Sequence, residues 1–188
     1  GTPIEFLNVA MDASPRGFGA VLYDADWKPI RFWSDSISED DCRILNAEPG
    51  ISDFMVIWEA LVLLITLRMW AHDAKGVVFA ARSDNAGVGI LMGKLRSPNP
   101  SLNRIASEVA LDLKKLLYAP YRISHIRGIA NSVPDFLSRI SQPGVSPKWP
   151  TQLANAHRDV APKRGKHVWL TSTIRPVHEK SQDTSPTG

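Results

Sequence analysis

Cysteine is nearly absent: Cys42 is the only one in 188 residues. No internal disulfide and no cysteine-based zinc site can form, so any metal must be oxygen-bound. No secretory leader is expected either, since Gly1-Thr2-Pro3 reads as an end made by cutting or cloning, and an intracellular setting is expected. There is no internal repeat. Long apolar runs are scarce. The one of helix length, residues 54–71, contains Glu59 and Arg68. Two charges in so short a run, with no second candidate span, indicate a buried helix of a soluble domain rather than a membrane crossing. Neither sign of charge dominates either, since the net charge is only +3. The small excess is uneven: residues 1–140 carry 15 Lys/Arg against 16 Asp/Glu (−1), and residues 141–188 carry 7 against 3 (+4). A basic tail of this kind suits weak attraction to phosphates, or is simply solvated.

Of the residues that are present, 44% are apolar and 22% charged, enough for one ordinary core but not two. The expected division is a domain over 1–140 and a Pro-rich basic tail or linker over 141–188. The tail holds Pro143, Pro147, Pro150, Pro162, Pro176 and Pro186, and Trp149, Leu153, Trp169 and Leu170 are its candidate pins.

Residues 8–24 read as a strand, a tight turn and a returning strand. Val9, Met11, Val21 and Tyr23 carry the alternation, and Pro15, Arg16 and Gly17 carry the turn. Asp12 interrupts the first strand at its turn end, where an acid is poorly tolerated. Pro29–Ser36 alternates well enough for a third antiparallel strand. Residues 37–53, with Glu39, Asp40, Asp41, Glu48 and Asp53 around Pro49-Gly50, read as a long acidic loop with one helical turn near Cys42–Ala47. The apolar run 54–71 follows as the central core helix, N-capped by Ser52 or Asp53. Residues 76–83 suit a strand covered on both faces, and Asp84-Asn85-Ala86-Gly87 leads into a helical segment through about Lys94. Ser101 or Asn103 caps a helix over 104–118, Tyr121–Ile126 forms a fifth strand, and a last helix begins around Ser132, Pro134 and Asp135.

Four carboxylates thus stand at distinct places: Asp12 at a strand end, Glu59 in the core helix, Asp84 at a second strand end and Asp135 at a helix start. Each has a plain explanation. Asp12 can bond its own turn, Asp84 can cap a helix, and Ser132 with Asp135 spells a capping box. Glu59 needs a partner that its own helix does not supply, because Arg68 lies nine residues on. Were the four to converge on one sheet edge, only hard divalent cations would stabilise the cluster, namely magnesium or manganese, with two ions about 4 Å apart for attack on phosphorus.

The segments Met-Asp-Ala-Ser-Pro-Arg-Gly-Phe-Gly-Ala-Val-Leu, Trp-Glu-Ala-Leu, Ser-Asp-Asn-Ala and His-Ile-Arg-Gly-Ile-Ala-Asn-Ser-Val-Pro-Asp-Phe-Leu-Ser-Arg make the chain resemble ribonuclease H domains. In particular it is similar to those attached to the reverse transcriptases of retrotransposons, over about residues 6–140. The resemblance implies an α/β fold with a five-stranded mixed sheet, three antiparallel strands then two parallel, flanked by helices. It implies metal-dependent hydrolysis of the RNA strand of an RNA/DNA hybrid, with Asp12, Glu59, Asp84 and Asp135 as metal-binding catalytic acids and two Mg²⁺ or Mn²⁺ ions. His125, ten residues before Asp135, would be the family's mobile histidine assisting proton transfer or product release. Ala13, Ser14, Asn85 and Asn131 are the expected nucleic-acid contacts, through 2′-hydroxyls along the minor groove. An adjacent reverse transcriptase domain is an expected partner, and the isolated domain is expected to be a monomer away from membranes.

Two features depart from the family pattern. No basic helix for gripping substrate fits between Asp84 and His125, so affinity would depend on a neighbouring domain or on the basic tail. The acidic loop at 37–53 is also long, and Glu48 within it rivals Glu59 as a ligand. The alternative function is a ribonuclease H-like binding or tether domain without turnover, which would be expected to have lost one of the acids. Another nuclease or transposase on the same fold would place its acids differently on the last helix. An actin-like phosphotransferase needs a second half that this chain lacks.

Overall fold

Three consecutive stretches of alternating side chains form β1 (Phe6–Ala13), β2 (Gly17–Tyr23) and β3 (Pro29–Ser36), an antiparallel meander. The structure, a computed structural model, describes residues 6–71, 76–80, 90, 99–114, 122–124, 131–144 and 146–165. Two further strands, β4 (Gly76–Ala80) and β5 (Arg122–Ser124), add in parallel beside β1. The five expected strands are therefore present in the expected senses, but the sheet has six. His157–Arg158 forms β6, parallel to β3, so the order is β5-β4-β1-β2-β3-β6. The expectation of five missed the last because a two-residue strand carries no periodicity of its own and exists only where a neighbouring edge offers it hydrogen bonds.

The two faces of the sheet are sorted by the period of two. Leu7, Val9, Met11 and Ala13 of β1, Phe18, Ala20 and Leu22 of β2 and Trp33 of β3 join the larger core. Ala10, Val21, Tyr23 and Phe32 point the other way into a smaller one. Helix α1 (Glu39–Leu45) and helix α2 (Met55–Trp70) belong to the larger side. Thirteen of α2's 16 residues are buried, which a helix apolar on every side requires, since it must be covered on every side. Its cover includes the sheet and helix α3 (Pro100–Lys114), which adds Leu102, Ile105 and Val109. Arg68 crosses from α2 to α3, where its guanidinium donates to Asp112 at 2.8 and 3.1 Å and to Glu108 at 2.6 Å. Helix α4 (Ser132–Arg139) lies over the smaller core with Val133 and Leu137 inward. Among the described residues no helix is long and apolar enough to cross a membrane.

Several helix starts differ from expectation. The acidic stretch is not a loop with one turn: Ser38 accepts from the Asp41 amide at 3.1 Å and Asp41 accepts from the Ser38 amide at 2.9 Å, a capping box that starts α1 at Glu39. Helix α2 uses neither Ser52 nor Asp53 as a side-chain cap, because a 3-10 turn over Ser52–Phe54 leads into it. Helix α3 begins earlier than 104, with Pro100 in its first turn and Asn99 accepting from the Ser101 and Leu102 amides at 2.9 and 3.4 Å. Helix α4 starts after Asn131 and makes no capping box.

The segment 146–165 crosses the β3 edge as a strap. Leu153 and Ala161 are buried in the two cores. Asp159 is 8% exposed, receives 2.8 and 2.7 Å bonds from Arg31 and a 2.8 Å bond from the Trp70 indole. Arg164 is 5% exposed and reaches Asp41 of α1 and Asp35 of β3. The rings of Phe32 and Phe136 hold Trp149 at centroid distances of 5.8 and 5.4 Å. Trp149 and Leu153 act as the expected pins, while Trp169 and Leu170 lie outside the described residues.

Candidate functional site

Asp12 lies one residue before the end of β1, a central strand flanked by β2 and β4. It pairs in register with Gly19 of β2, which pairs with Ser34 of β3, so Asp12, Gly19 and Ser34 form one row across the sheet. Alternation puts that row on the same face as Ala10, under α4. Glycine at position 19 is required by the helix above: a Cβ there would stand 2.4 Å from the Leu137 Cβ and 2.8 Å from both the Pro134 carbonyl and the Ser138 amide nitrogen. At Gly17 it would stand 2.6 Å from the Ser138 carbonyl oxygen. The backbone of α4 thus rests almost directly on the backbone of β2.

Two hydroxyls secure that contact. Ser14 donates to the Ser138 carbonyl at 2.6 Å and Ser34 donates to the Leu137 carbonyl at 2.6 Å, satisfying groups that a helix end leaves open. Ser14 also accepts from the Gly17 and Arg16 amides at 3.0 and 3.3 Å, which closes the β1–β2 turn. The turn is braced from outside where Pro15 accepts from the Gly50 amide at 2.7 Å and Arg16 accepts from the Ile37 amide at 3.0 Å. Ser14 is fully buried with its hydroxyl engaged with the protein, and Ala13 is buried at 4% as well.

Asp135 occupies the first turn of α4. With Pro134 and Leu137 facing the sheet and Phe136 leaning toward Trp149 and β3, the 100° step of the helix sends Asp135 to the opposite flank, the side of β1. It is not spent on a capping box. Its carboxylate accepts from Arg139 at 3.0 Å, in a pair whose side chains are 46% and 48% exposed. Glu59 is half-buried and, with Met55 and Val56, is one of the three α2 residues not buried in the core, all near the helix start. Asn131 is half-buried at the start of α4, where its carbonyl accepts from the Asp135 amide at 3.0 Å.

Asp84, Asn85 and His125 lie outside the described residues. The rival ligand Glu48 is exposed and lines a cavity of about 610 Å³ with Ile37, Glu39, Cys42 and Phe54. In that cavity, burial and then the charge of Asp41 push the Cys42 thiol up, which disfavours its thiolate. All-carboxylate donors suit a hard divalent ion. Among the described residues, however, no three such side chains come together as a metal cluster. Asp12, Glu59 and Asp135 alone do not make the site.

The sequence reading missed Gly17, Gly19 and Ser34. The signal was two glycines two apart on one face of a strand, which marks close backbone approach.

No protein-family model matches the chain, and no curated protein matches it by sequence. Among solved structures it is similar to ribonuclease H1 of the halophilic archaeon Halobacterium salinarum NRC-1, at 17% identity and a TM-score of 0.46 over 70% of this chain and 93% of that one. It is similar to the N-terminal ribonuclease H domain of rv2228c from Mycobacterium tuberculosis, fused to maltose-binding protein, at 15% identity and a TM-score of 0.45 over 70% and 95%. It is also similar to LC11-RNase H1 in complex with an RNA/DNA hybrid, at 15% identity and a TM-score of 0.42 over 70% and 91%. Likenesses this distant add no weight to a functional reading. What stands directly is an α/β protein whose mixed sheet carries an acid at the end of a central strand and a second acid on a helix pressed against it.

Proposed function

We propose that the chain is a ribonuclease H-like endonuclease that hydrolyses the RNA strand of RNA/DNA hybrids, from a retroelement polyprotein in which a reverse transcriptase domain adjoins it. One observation carries this reading. The two segments with the strongest family likeness, around Asp12 and around Asp135, are 124 residues apart at their joining bond and yet are bolted together through Ser14 and Ser138. Residues 1–140 carry the chemistry in this reading, and the segment after them supports it.

Asp12, Glu59, Asp84 and Asp135 are the proposed acids for two Mg²⁺ or Mn²⁺ ions, with His125 assisting proton transfer or product release. Such ions supply an activated water and counter-charge for the leaving oxygen. Asn85 and Asn131 remain proposed contacts to the nucleic acid. The second reading is a binding module without turnover. It is favoured by the Asp135–Arg139 pair, which neutralises a proposed ligand.

Cleavage of an end-labelled RNA/DNA hybrid in Mg²⁺ or Mn²⁺ separates the two. We expect metal-dependent cuts in the RNA strand, with Asp12→Asn and Asp84→Asn each reducing turnover by more than about 100-fold, the upper range for a residue that only supports a ligand. Hybrid binding without cleavage under both metals would leave the tether reading standing instead.

A further inference from the structure

The strap turns one acid and one arginine inward and leaves its other cations outside. Its one acid, Asp159, is turned inward and held by Arg31 and Trp70, and Arg164 is turned inward onto Asp41 and Asp35. The remaining Lys and Arg residues of the strap, Lys148, Arg158 and Lys163, are exposed, and none has a carboxylate partner among the described residues. The acids nearest the far end of the strap are already paired, Asp35 with Arg164 and Asp40 with Arg43. Beside these cations stands Trp149, 41% exposed, fixed on one side by Phe32 and Phe136 and carrying the Arg158 guanidinium 5.4 Å from its ring centroid. An anchored, half-exposed aromatic ring among cations that have no carboxylate partner among the described residues is an arrangement that favours phosphate and sugar contacts. Its position is informative too. Phe136 leans from α4 toward Trp149, and the neighbouring Asp135 leaves the same helix on the opposite flank, so one helix diameter, about 10 Å, separates the Trp149 end of the strap from Asp135, while Arg158 and Lys163 lie further off, along the β3 edge.

We propose that the outer face of the strap, Lys148, Trp149, Arg158 and Lys163, is a docking surface for the sugar-phosphate backbone of the duplex acted on at the candidate site. This rests on the nuclease reading and names the element that grips its substrate. Neutralising phosphates releases counterions, so each contact contributes about 0.9 to the slope of log affinity against log salt. Three contacts contribute about 2.7, and over a fourfold rise in salt that slope amounts to about a 40-fold change in affinity.

The test uses the full chain and the variant Lys148→Gln/Arg158→Gln/Lys163→Gln, with Trp149 retained. Binding of a fluorescent RNA/DNA hybrid is followed by anisotropy in Ca²⁺ from about 50 to 200 mM salt, the range over which such slopes are read. Cleavage in Mg²⁺ is measured alongside. We expect the variant to bind more weakly at low salt, with a slope flatter by two to three, and to keep its melting temperature and its turnover at saturating hybrid. Equal affinity and slope overturn the proposal, as does weaker binding with an unchanged slope, which would signal lost structure rather than lost phosphate contacts. Cleavage by both proteins without any strap dependence would leave the nuclease reading intact and remove this one. Strap-dependent binding without cleavage would do the reverse. No binding and no cleavage would remove both.

Discussion

Replacing Arg164 by methionine should release the strap, and the cost can be worked from its contacts. The side chain is 2% exposed and donates to Asp41 at 2.8, 2.9 and 3.1 Å, to Asp35 at 3.0 Å and to the Ser36 carbonyl at 3.2 Å, with its guanidinium 5.6 Å from the Phe18 ring centroid. Burial alone would lower its pKa, but the bonds to Asp41 and the charges of Asp41 and Asp35 outweigh it and hold the pKa above the ordinary arginine value. Methionine fills much of the volume and removes every bond. Asp41, fully buried, then keeps only the Ser38 amide at 2.9 Å among the described residues. A buried carboxylate left without its cation destabilises by about 3–5 kcal/mol. For a chain of this size each kcal/mol shifts the melting temperature by about 2–4 °C, so a drop of about 6–20 °C is expected. Asp41→Asn added to Arg164→Met should recover part of the loss, because an amide is cheaper to bury than an unpaired charge. Thermal and urea unfolding of the three variants, with proteolysis at the exposed His157–Arg158 as a report of strap release, completes the assay. An Arg164→Met midpoint within about 0.5 kcal/mol of the parent, the usual effect of a surface substitution, would refute the reasoning. So would a double variant no more stable than the single one.

Gly19→Ala should destabilise by about 3 kcal/mol, the upper end of overpacking, because its methyl group would meet backbone of α4 rather than a side-chain tip that can swing away. Equilibrium urea unfolding reads this, and a cost under about 1 kcal/mol would show that α4 does not press on β2 as described. Burial pushes the Tyr23 hydroxyl up from 10.0 to about 12. The unfolded chain therefore ionises this group first, so its contribution is intact below pH 10 and is lost as pH rises toward 12. Tyr23→Phe should flatten the fall in urea midpoint over that window, and an unchanged fall would assign the loss to other groups.

Much of the frame is legible in the order of residues alone. The meander is readable because one face of each strand is apolar and the turns are written in Pro, Gly and Asp. The ends of β3 at Pro29 and Ser36 agree with the reading. Helix α2 is readable because an unbroken apolar run of helix length has few other fates. The candidate acids are legible only as types at telling places, and Asp84 and His125 lie outside the described residues. The start of α1 is written in Ser38 and Asp41, but a run of acids resembles a solvated loop unless the box is noticed.

By itself, then, the sequence determined the local elements and which face of each is apolar, because those depend on periodicity, turn chemistry and the residues within a few positions. Contacts between distant segments belong to tertiary structure alone. Ser14 sits in a turn and could have faced a ligand; that it bolts α4 to the sheet depends on a carbonyl at Ser138. Arg164 and Asp159 sit in a proline-rich stretch that reads as a solvated tail. Their burial depends on Asp41, Asp35, Arg31 and Trp70, which only folding brings to one sheet edge. A charge is buried when its partner is already in place, and no window of sequence contains both.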